Sequence, residues 1–136
     1  MIFVDTSAFL AFVNEKDNNH AAAMQFLEEI KNGKLHIKKI ITSDYIIDET
    51  ITRIRYSVGH KEAVEWGMDI LASKVIEKIE VRSEIFRSAW ELFRTYDDKK
   101  LSFTDCTCFA LMKKRGIEKV FSFDGDFERI GFVLLP

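Results

Sequence analysis

Four acidic residues stand where the sequence pattern lets carboxylates collect. Asp5 and Asp124 each follow an apolar run that predicts a buried strand, Asp105 lies in the first turn of a predicted helix, and Glu49 lies in the second turn of another. Open α/β sheets place their chemistry in the crevice beyond the carboxyl ends of the strands. Since a helical side chain tilts toward the N-terminus of its helix, Glu49 can also reach that edge. We therefore expect the four carboxylates to meet there.

Such a gathering needs a counterion. Two carboxylates ~4 Å apart repel by about 4 kcal/mol at an effective dielectric near 20. An all-oxygen, acidic pocket suits Mg²⁺ or Mn²⁺, and the absence of histidine and cysteine ligands argues against zinc. Two such ions would stabilise the attacking and the departing oxygens of a phosphodiester, so hydrolysis of nucleic acid is the predicted reaction.

Taken singly, most of these residues have an ordinary structural explanation. Ser102 to Asp105 fits a helix capping box, Asp124-Gly125 is a common turn dipeptide, and an isolated Glu49 is most often a solvated helix residue. Only Asp5, which ends a strand, is suggestive alone. The joint placement carries the prediction, together with a hydroxyl residue one or two positions from Asp5, Asp105 and Asp124.

Strands and helices alternate along the chain. Apolar or β-branched runs predict strands at 2–4, 38–42, 119–123 and 132–135, and 74–81 is either a strand or a helix-to-helix connection. Helices are predicted at 7–14, 19–31, 44–57, 60–73, 83–96 and from about 104 to 115, with a turn or short helix at 125–129. This alternation predicts an α/β fold whose mainly parallel sheet is covered on both faces.

The apolar positions of three helices indicate which side chains should face inward. The first set comprises Ala22, Phe26, Leu27 and Ile30. The second comprises Ala63, Val64, Trp66, Met68, Ile70 and Leu71. The third comprises Ile85, Phe86, Ala89, Trp90 and Phe93. Most aromatic residues are accordingly expected in the core rather than on a stacking surface.

The chain as a whole has the character of one soluble domain. Its 136 residues, 47% of them hydrophobic, suit a single domain spanning 1–136, and a net charge of -2 argues against coating nucleic acid by bulk electrostatics. Cys106 and Cys108 are expected to be reduced packing residues, because side chains two apart on a helix diverge. No leader or membrane span is evident, so an intracellular location is expected.

The arrangement of motifs resembles the PIN-domain family, including the VapC-type toxin ribonucleases. Four blocks, in the family's order, carry the likeness: Ile2 to Phe9, Thr42 to Thr50, Leu101 to Cys106, and Val120 to Phe127. The resemblance implies a parallel three-layer α/β/α sandwich and Mg²⁺-dependent endonucleolytic cleavage of RNA, with Mn²⁺ as an alternative ion. It also implies a cytoplasmic homodimer that is inhibited by an antitoxin.

Residue roles follow from the same resemblance. Asp5, Glu49, Asp105 and Asp124 would be the catalytic, metal-binding quartet, and Asp126 would be an additional ligand. Ser122, where the family commonly has threonine, and Thr6 would be supporting hydroxyls. Arg53, four residues after Glu49 on the same helix face, is the first candidate for holding substrate phosphates, and it would equally pair with Glu49.

Other functions remain open at the level of sequence. A PIN nuclease of RNA maturation or decay differs from a toxin only in its partner, and a non-catalytic module would keep the fold without needing a repelling acidic cluster. A haloacid-dehalogenase phosphatase needs a second carboxylate where this chain has Ser7, and a receiver domain needs a lysine and an acidic pair that cannot be placed.

Overall fold

A five-stranded parallel sheet forms the middle of the computed structural model, which describes residues 1–136. Its strands are β1 (Ile2–Val4), β2 (Ile40–Ser43), β3 (Ile76–Ile79), β4 (Lys119–Phe121) and β5 (Val133–Leu135). The seven helices are α1 (Thr6–Val13), α2 (His20–Lys31), α3 (Asp44–Ser57), α4 (His60–Ala72), α5 (Ser83–Thr95), α6 (Phe103–Arg115) and α7 (Asp126–Ile130).

The strand order is β3-β2-β1-β4-β5, so the chain leaves β1 in one direction and later continues from β4 in the other. In the register of the sheet, Phe3 lies opposite Ile41 on one side and Val120 on the other. The reversal of strand order between β1 and β4 opens a crevice beyond their carboxyl ends, where sheets of this type bind ligands. Asp5 and the segment after β4 both emerge there.

Helices cover both faces of the sheet. Right-handed crossovers place α1 to α4 on one face and α5 to α7 on the other. On the first face the rings of Phe26 and Phe121 lie 4.6 Å apart, and on the second those of Phe109 and Phe127 lie 5.1 Å apart, measured between centroids. The predicted three-layer α/β/α sandwich with a parallel sheet is confirmed.

The segment predicted as either a strand or a connection contains the edge strand β3. All four of its residues are half-buried, because an edge strand is covered on only part of its surface. The alternation of buried and exposed positions is therefore weak, which explains the ambiguity at 74–81.

Several apolar residues predicted to face inward instead lie on the surface. On α4 these are Val64, Met68 and Leu71. On α5, Phe86, Trp90 and Phe93 are 45%, 50% and 41% exposed. On α2 the buried alanine is Ala23 rather than Ala22. The error has a common cause: each helix buries one narrow stripe, whereas the prediction assigned every apolar residue to it.

Two further features concern the ends of elements. Strand β4 ends at Phe121 rather than Phe123, because the Phe123 N–H turns away from the sheet to donate to Ser7 Oγ at 2.9 Å. Cys106 and Cys108 are free and buried in α6, as predicted. None of the helices combines the length and the apolar character needed to cross a membrane.

Candidate functional site

Asp5 is the most enclosed acidic residue at the crevice. It is the N-cap of α1, and its Oδ2 accepts hydrogen bonds from Ser122 Oγ and Ser7 Oγ, both at 2.9 Å. Burial raises the pKa of Asp5 above its ordinary value, against the lowering effect of the Ser122 and Ser7 hydrogen bonds. Because the side-chain donors all reach Oδ2, Oδ1 is left for another partner.

Ser7, in the first turn of α1, and Ser122, just after β4, connect the two sides of the crevice. Their Oγ atoms lie 3.0 Å apart. Ser7 Oγ accepts the N–H of Phe123 at 2.9 Å, and Ser122 Oγ accepts the N–H of Asp124 at 3.0 Å. The two hydroxyls thus fix the turn that carries Asp124 relative to Asp5.

The hydroxyl that reaches Asp5 from α1 belongs to Ser7, not to the predicted Thr6. Thr6 Oγ1 is buried beneath the crevice and accepts from Thr50 Oγ1 at 3.5 Å. An N-cap side chain accepts from the backbone N–H of the second or third residue of its helix. Ser7 is the second residue of α1, and its N–H donates to Asp5 Oδ2 at 3.4 Å. The capping rule was the signal that could have identified Ser7.

Asp105 is placed by the capping box that the sequence suggested. Its Oδ2 accepts the N–H of Ser102, while its own N–H donates to Ser102 Oγ, both at 3.0 Å. Burial raises the pKa of Asp105 to about 6, and the negative charges of Asp5 and Asp124 add to the rise. Asp105 therefore caps α6 and also belongs to the acidic cluster. The carboxylates of Asp5, Asp105 and Asp124 lie close enough to influence one another's charge.

Glu49 approaches the same region from α3. Burial raises the pKa of the Cys108 thiol well above its ordinary value, and the charges of Asp5, Asp105 and Glu49 contribute in the same direction. Glu49 Oε1 lies 3.9 Å from Arg53 Nη1, a long contact between partly exposed side chains. The neighbouring Asp48 is exposed on the other side of the helix.

The remaining acidic candidates lie in the turn after β4. Asp124 Oδ1 accepts the N–H of Asp126 at 2.9 Å, which shapes the start of α7. Asp126 Oδ1 pairs with Arg129 Nη1, also at 2.9 Å. Asp126 thus already has a cationic partner, whereas no salt bridge reaches Asp5, Asp105 or Asp124.

The four carboxylates are chemically suited to bind a hard dication, but they lie farther apart than metal ligands do. No group of three side chains lies close enough together to hold a metal ion, counting histidine, cysteine, aspartate and glutamate. All four donors are nevertheless carboxylates, the kind of ligand that Mg²⁺ and Mn²⁺ prefer. The raised pKa values of Asp5 and Asp105 mark a place where negative charge lacks a positive partner.

Comparison with known proteins gives relatives that match over nearly the whole chain. Residues 2–133 match the family described as PIN domain. The chain is 36% identical over 133 residues to the 23S rRNA-specific endonuclease VapC20 of Mycobacterium tuberculosis, covering 98% of this chain and 96% of that protein.

Solved structures agree with these matches. The crystal structure of Mycobacterium tuberculosis VapC20, a Sarcin-Ricin loop cleaving toxin, superposes with a TM-score of 0.89 at 34% identity, over 98% of this chain and 97% of that chain. FitAcB from Neisseria gonorrhoeae gives a TM-score of 0.72 at 14% identity, over 100% of this chain and 97% of that chain, which shows likeness of fold alone.

Proposed function

Because the chain belongs to the PIN-domain family and is a nuclease of that family, we propose that it is a VapC-type toxin endoribonuclease that requires a divalent cation. Residues 1–136 act as a single nuclease domain. The observation that carries this proposal is that Ser122 joins Asp5 to the turn of Asp124 at the crevice between β1 and β4, where the charges of Asp5 and Asp124 also raise the pKa of Asp105. Acids from distant parts of the chain repel one another there, and a bound dication offsets that repulsion.

The acidic quartet is the proposed cation site. Asp5, Glu49, Asp105 and Asp124 hold Mg²⁺ or Mn²⁺, and Asp126 ranks behind them because Arg129 occupies one of its oxygens. When bound, the dication supplies the positive charge that offsets both the carboxylate repulsion and the charge developing on the scissile phosphate.

Other side chains serve this site without joining the quartet. Ser7 and Ser122 hold the Asp5 carboxylate with Oδ1 directed away from their hydroxyls. Arg53 is proposed to hold an RNA phosphate, since its side chain is 58% exposed and its 3.9 Å contact with Glu49 is loose. Thr6 supports the site from beneath, through its contact with Thr50.

The proposed substrate is 23S rRNA at the sarcin-ricin loop. This is the RNA for which the VapC20 relative is named, and the 36% identity extends over 98% of this chain. An enzyme that acts on ribosomal RNA works in the cytoplasm, which is the location we propose.

An antitoxin is the proposed protein partner, because a toxin of this type must be held inactive until it is needed. A cavity of about 320 Å³ lies between α1, α2 and α4, with apolar side chains including Phe9, Phe12 and Trp66 in its wall. An apolar antitoxin segment fits that cavity. The product of a neighbouring reading frame should suppress cleavage by the wild type and not by Phe12→Glu, and equal suppression of both would remove the cavity from the proposal.

A homodimer is the proposed assembly. The exposed apolar side chains of Met68 and Leu71 on α4, and of Val75 just after that helix, are available for self-association. Light scattering on the purified chain should give twice the mass of one chain, and a monomer at all concentrations would contradict the assembly.

The test of the function is cleavage of an RNA hairpin copying the sarcin-ricin loop, with Mg²⁺, Mn²⁺ or a chelator. We expect cuts only with a dication, and a loss of at least ~100-fold in rate for Asp5→Asn and Glu49→Gln, because each removes a charge that holds the ion. The matched control is Asp48→Asn, which changes the exposed acid beside Glu49 and should keep the wild-type rate. Full activity in an Asp5→Asn/Glu49→Gln variant would contradict the proposal.

A further inference from the structure

The pairing of β1 with β2 ends before the two strands reach the crevice. Phe3 and Ile41 are the last paired residues, although β1 continues to Val4 beside β4 and β2 continues to Ser43 beside β3. Helix α3, which carries Glu49, begins directly after Ser43. Main-chain pairing therefore does not by itself fix α3 relative to the residues that follow β1.

A threonine hydroxyl joins the two strands where their pairing has ended. Thr42 is fully buried, and its Oγ1 donates to the backbone carbonyl of Val4 at 3.0 Å. Val4 directly precedes Asp5, and Thr42 directly precedes Ser43, the N-cap of α3. One side-chain hydrogen bond thus connects the end of the strand that presents Asp5 to the start of the helix that presents Glu49.

A second link lies farther along α3. Thr50 Oγ1 donates to Thr6 Oγ1 at 3.5 Å, and both side chains are buried. This is a long hydrogen bond, yet each hydroxyl has the other as its partner, and no buried side-chain polar atom of the chain lacks one. Thr50 directly follows Glu49 and Thr6 directly follows Asp5, so the contact again connects the segments of two acids of the quartet.

These hydroxyls differ in kind from the side chains around them. The other buried residues of α3 are all isoleucines, at Ile46, Ile47 and Ile54. A valine has nearly the shape of a threonine and packs without the cost of desolvating a hydroxyl. Apolar contacts are non-directional, whereas a hydrogen bond constrains both distance and angle. Buried hydroxyls at these positions therefore serve geometry more than stability.

Residues 4–6 each accept a hydrogen bond from a hydroxyl in a different part of the fold: β2, the turn after β4, and α3. Ser122, in the turn, acts on the Asp5 carboxylate itself. The two threonines act on the residues before and after Asp5, and both belong to the β2–α3 unit that carries Glu49. The corner that presents Asp5 is thus held against the unit that presents Glu49.

We propose that Thr42 and Thr50 are positioning residues of the nuclease site, whose hydroxyls hold α3, and with it Glu49, in place against the segment that carries Asp5. Both side chains are fully buried, so they act through the acids and not by contact with RNA. This inference rests on the proposed function, because Asp5 and Glu49 are two of the acids proposed to bind the cation. The competing explanation is that both threonines only fill space in the core.

Mn²⁺ affinity, measured by calorimetry, tests the proposal without relying on cleavage. Thr42→Val removes the hydroxyl and keeps the branched shape, and it should weaken Mn²⁺ binding about tenfold, since residues that orient metal ligands typically contribute 10- to 100-fold. Thr42→Ser keeps the hydroxyl and loses a methyl group, and it should bind Mn²⁺ nearly as tightly as wild type. A space-filling role predicts the opposite order, because only the serine leaves a cavity, and that order overturns the proposal.

The matched control is Thr107→Val. Thr107 is equally buried, and its hydroxyl also donates to a backbone carbonyl, that of Thr104 at 2.6 Å, but this bond stays within α6. The control should keep wild-type Mn²⁺ affinity, and a loss equal to that of Thr42→Val overturns the proposal. Thr50→Val should act in the same direction as Thr42→Val with a smaller effect, because its bond is longer. It takes the place of Thr42→Val if thermal unfolding in chelator shows that variant to be unfolded.

A double-mutant cycle tests whether Thr42 acts through Glu49. The loss of Mn²⁺ affinity caused by Thr42→Val should shrink in the Glu49→Gln background, because the carboxylate that the hydroxyl positions is no longer there. An equal loss in both backgrounds overturns the proposal.

Cleavage kinetics separate this inference from the function on which it rests. Thr42→Val should lower kcat about tenfold and leave KM within about twofold, because the buried hydroxyl contacts no RNA. Wild-type Mn²⁺ affinity in Thr42→Val, with a loss in Glu49→Gln, overturns the positioning role alone. Wild-type Mn²⁺ affinity and cleavage in Glu49→Gln overturn the proposed function as well.

Discussion

At the scale of single residues, the site holds carboxylates under conditions that disfavour their charge. Burial raises the pKa of Asp5 although two serine hydroxyls oppose the rise, and it raises the pKa of Asp105 to about 6. A carboxylate in such a place is costly to the metal-free fold. We therefore expect the acids proposed to bind the cation to reduce the free energy of unfolding.

Asp105→Asn should make the metal-free protein more stable at neutral pH. The folded-state pKa of Asp105 is raised from 3.8 to about 6. The folded state therefore binds the proton more tightly, and wild-type stability falls as pH rises through this range. The variant removes that penalty, which we put at roughly 1–2 kcal/mol after allowance for solvent screening.

Urea denaturation in chelator from pH 4 to pH 7.5 measures this effect. The stability advantage of Asp105→Asn should be small at pH 4 and full at pH 7.5. The exposed Asp98→Asn serves as control and should show no such trend. An advantage that shrinks with rising pH would contradict the assignment.

The hydroxyls around Asp5 show what sequence could and could not give. Ser122 was identified, and the structure places its hydroxyl on Asp5 at 2.9 Å. In α1 the family resemblance implies Thr6 as a supporting hydroxyl, whereas the hydroxyl that donates to Asp5 is that of Ser7. Thr6 and Ser7 lie one and two residues after Asp5, so their distance along the sequence does not distinguish them. Only the direction of side chains in the first helical turn separates them.

Ser7→Ala should weaken binding of Mn²⁺ about tenfold, since residues that orient metal ligands typically contribute 10- to 100-fold in affinity. The change removes one donor to Asp5 and the acceptor of the Phe123 N–H. Ser7→Thr, which keeps the hydroxyl, should restore most of the affinity. Calorimetric titration measures this, with Ser88→Ala on the outside of α5 as control. Equal affinities in wild type and Ser7→Ala would show that the hydroxyl does not orient the site.

At the scale of elements, the ends of helices that carry a capping residue were predictable from sequence. Which face of each helix is buried was not. Ser43 accepts the N–H of Ile46 at 3.2 Å as the N-cap of α3, and Gly116 ends α6 in a left-handed conformation, φ 65°. The sequence predicted both ends. In contrast, the outer stripes of α4 and α5 are as apolar as their inner stripes, so periodicity alone could not tell which side chains the sheet covers.

Two helix caps offer a matched comparison. Ser43→Ala and Ser102→Ala each remove an N-cap hydroxyl and should each lower the free energy of unfolding by about 1 kcal/mol. Only Ser102 also exchanges hydrogen bonds with an acid of the quartet, Asp105. Ser102→Ala should therefore reduce cleavage about tenfold or more while Ser43→Ala keeps it near wild type, because small displacements of catalytic groups are costly. Parallel denaturation and cleavage assays measure both, and equal losses of cleavage would assign Ser102 a purely structural role.

At the scale of the whole molecule, the strand order creates the site. Positions 5, 49, 105 and 124 are far apart in sequence. They approach one another because β1 and β4 are neighbours at the reversal of the sheet, while α3 and α6 begin at the same edge. The alternation of strands and helices predicted the parallel sheet, but the strand order is a property of long-range pairing that local patterns do not encode.

The most direct measurement is anomalous diffraction from crystals of the protein grown with Mn²⁺. We predict an anomalous peak in the crevice beyond β1 and β4, within coordination distance of carboxylate oxygens from Asp5 and Asp105 and at least one of Asp124 and Glu49. The same crystals of Asp5→Asn/Asp105→Asn should lack that peak. Wild-type crystals that bind Mn²⁺ only elsewhere, with these carboxylates uncoordinated, would contradict the account.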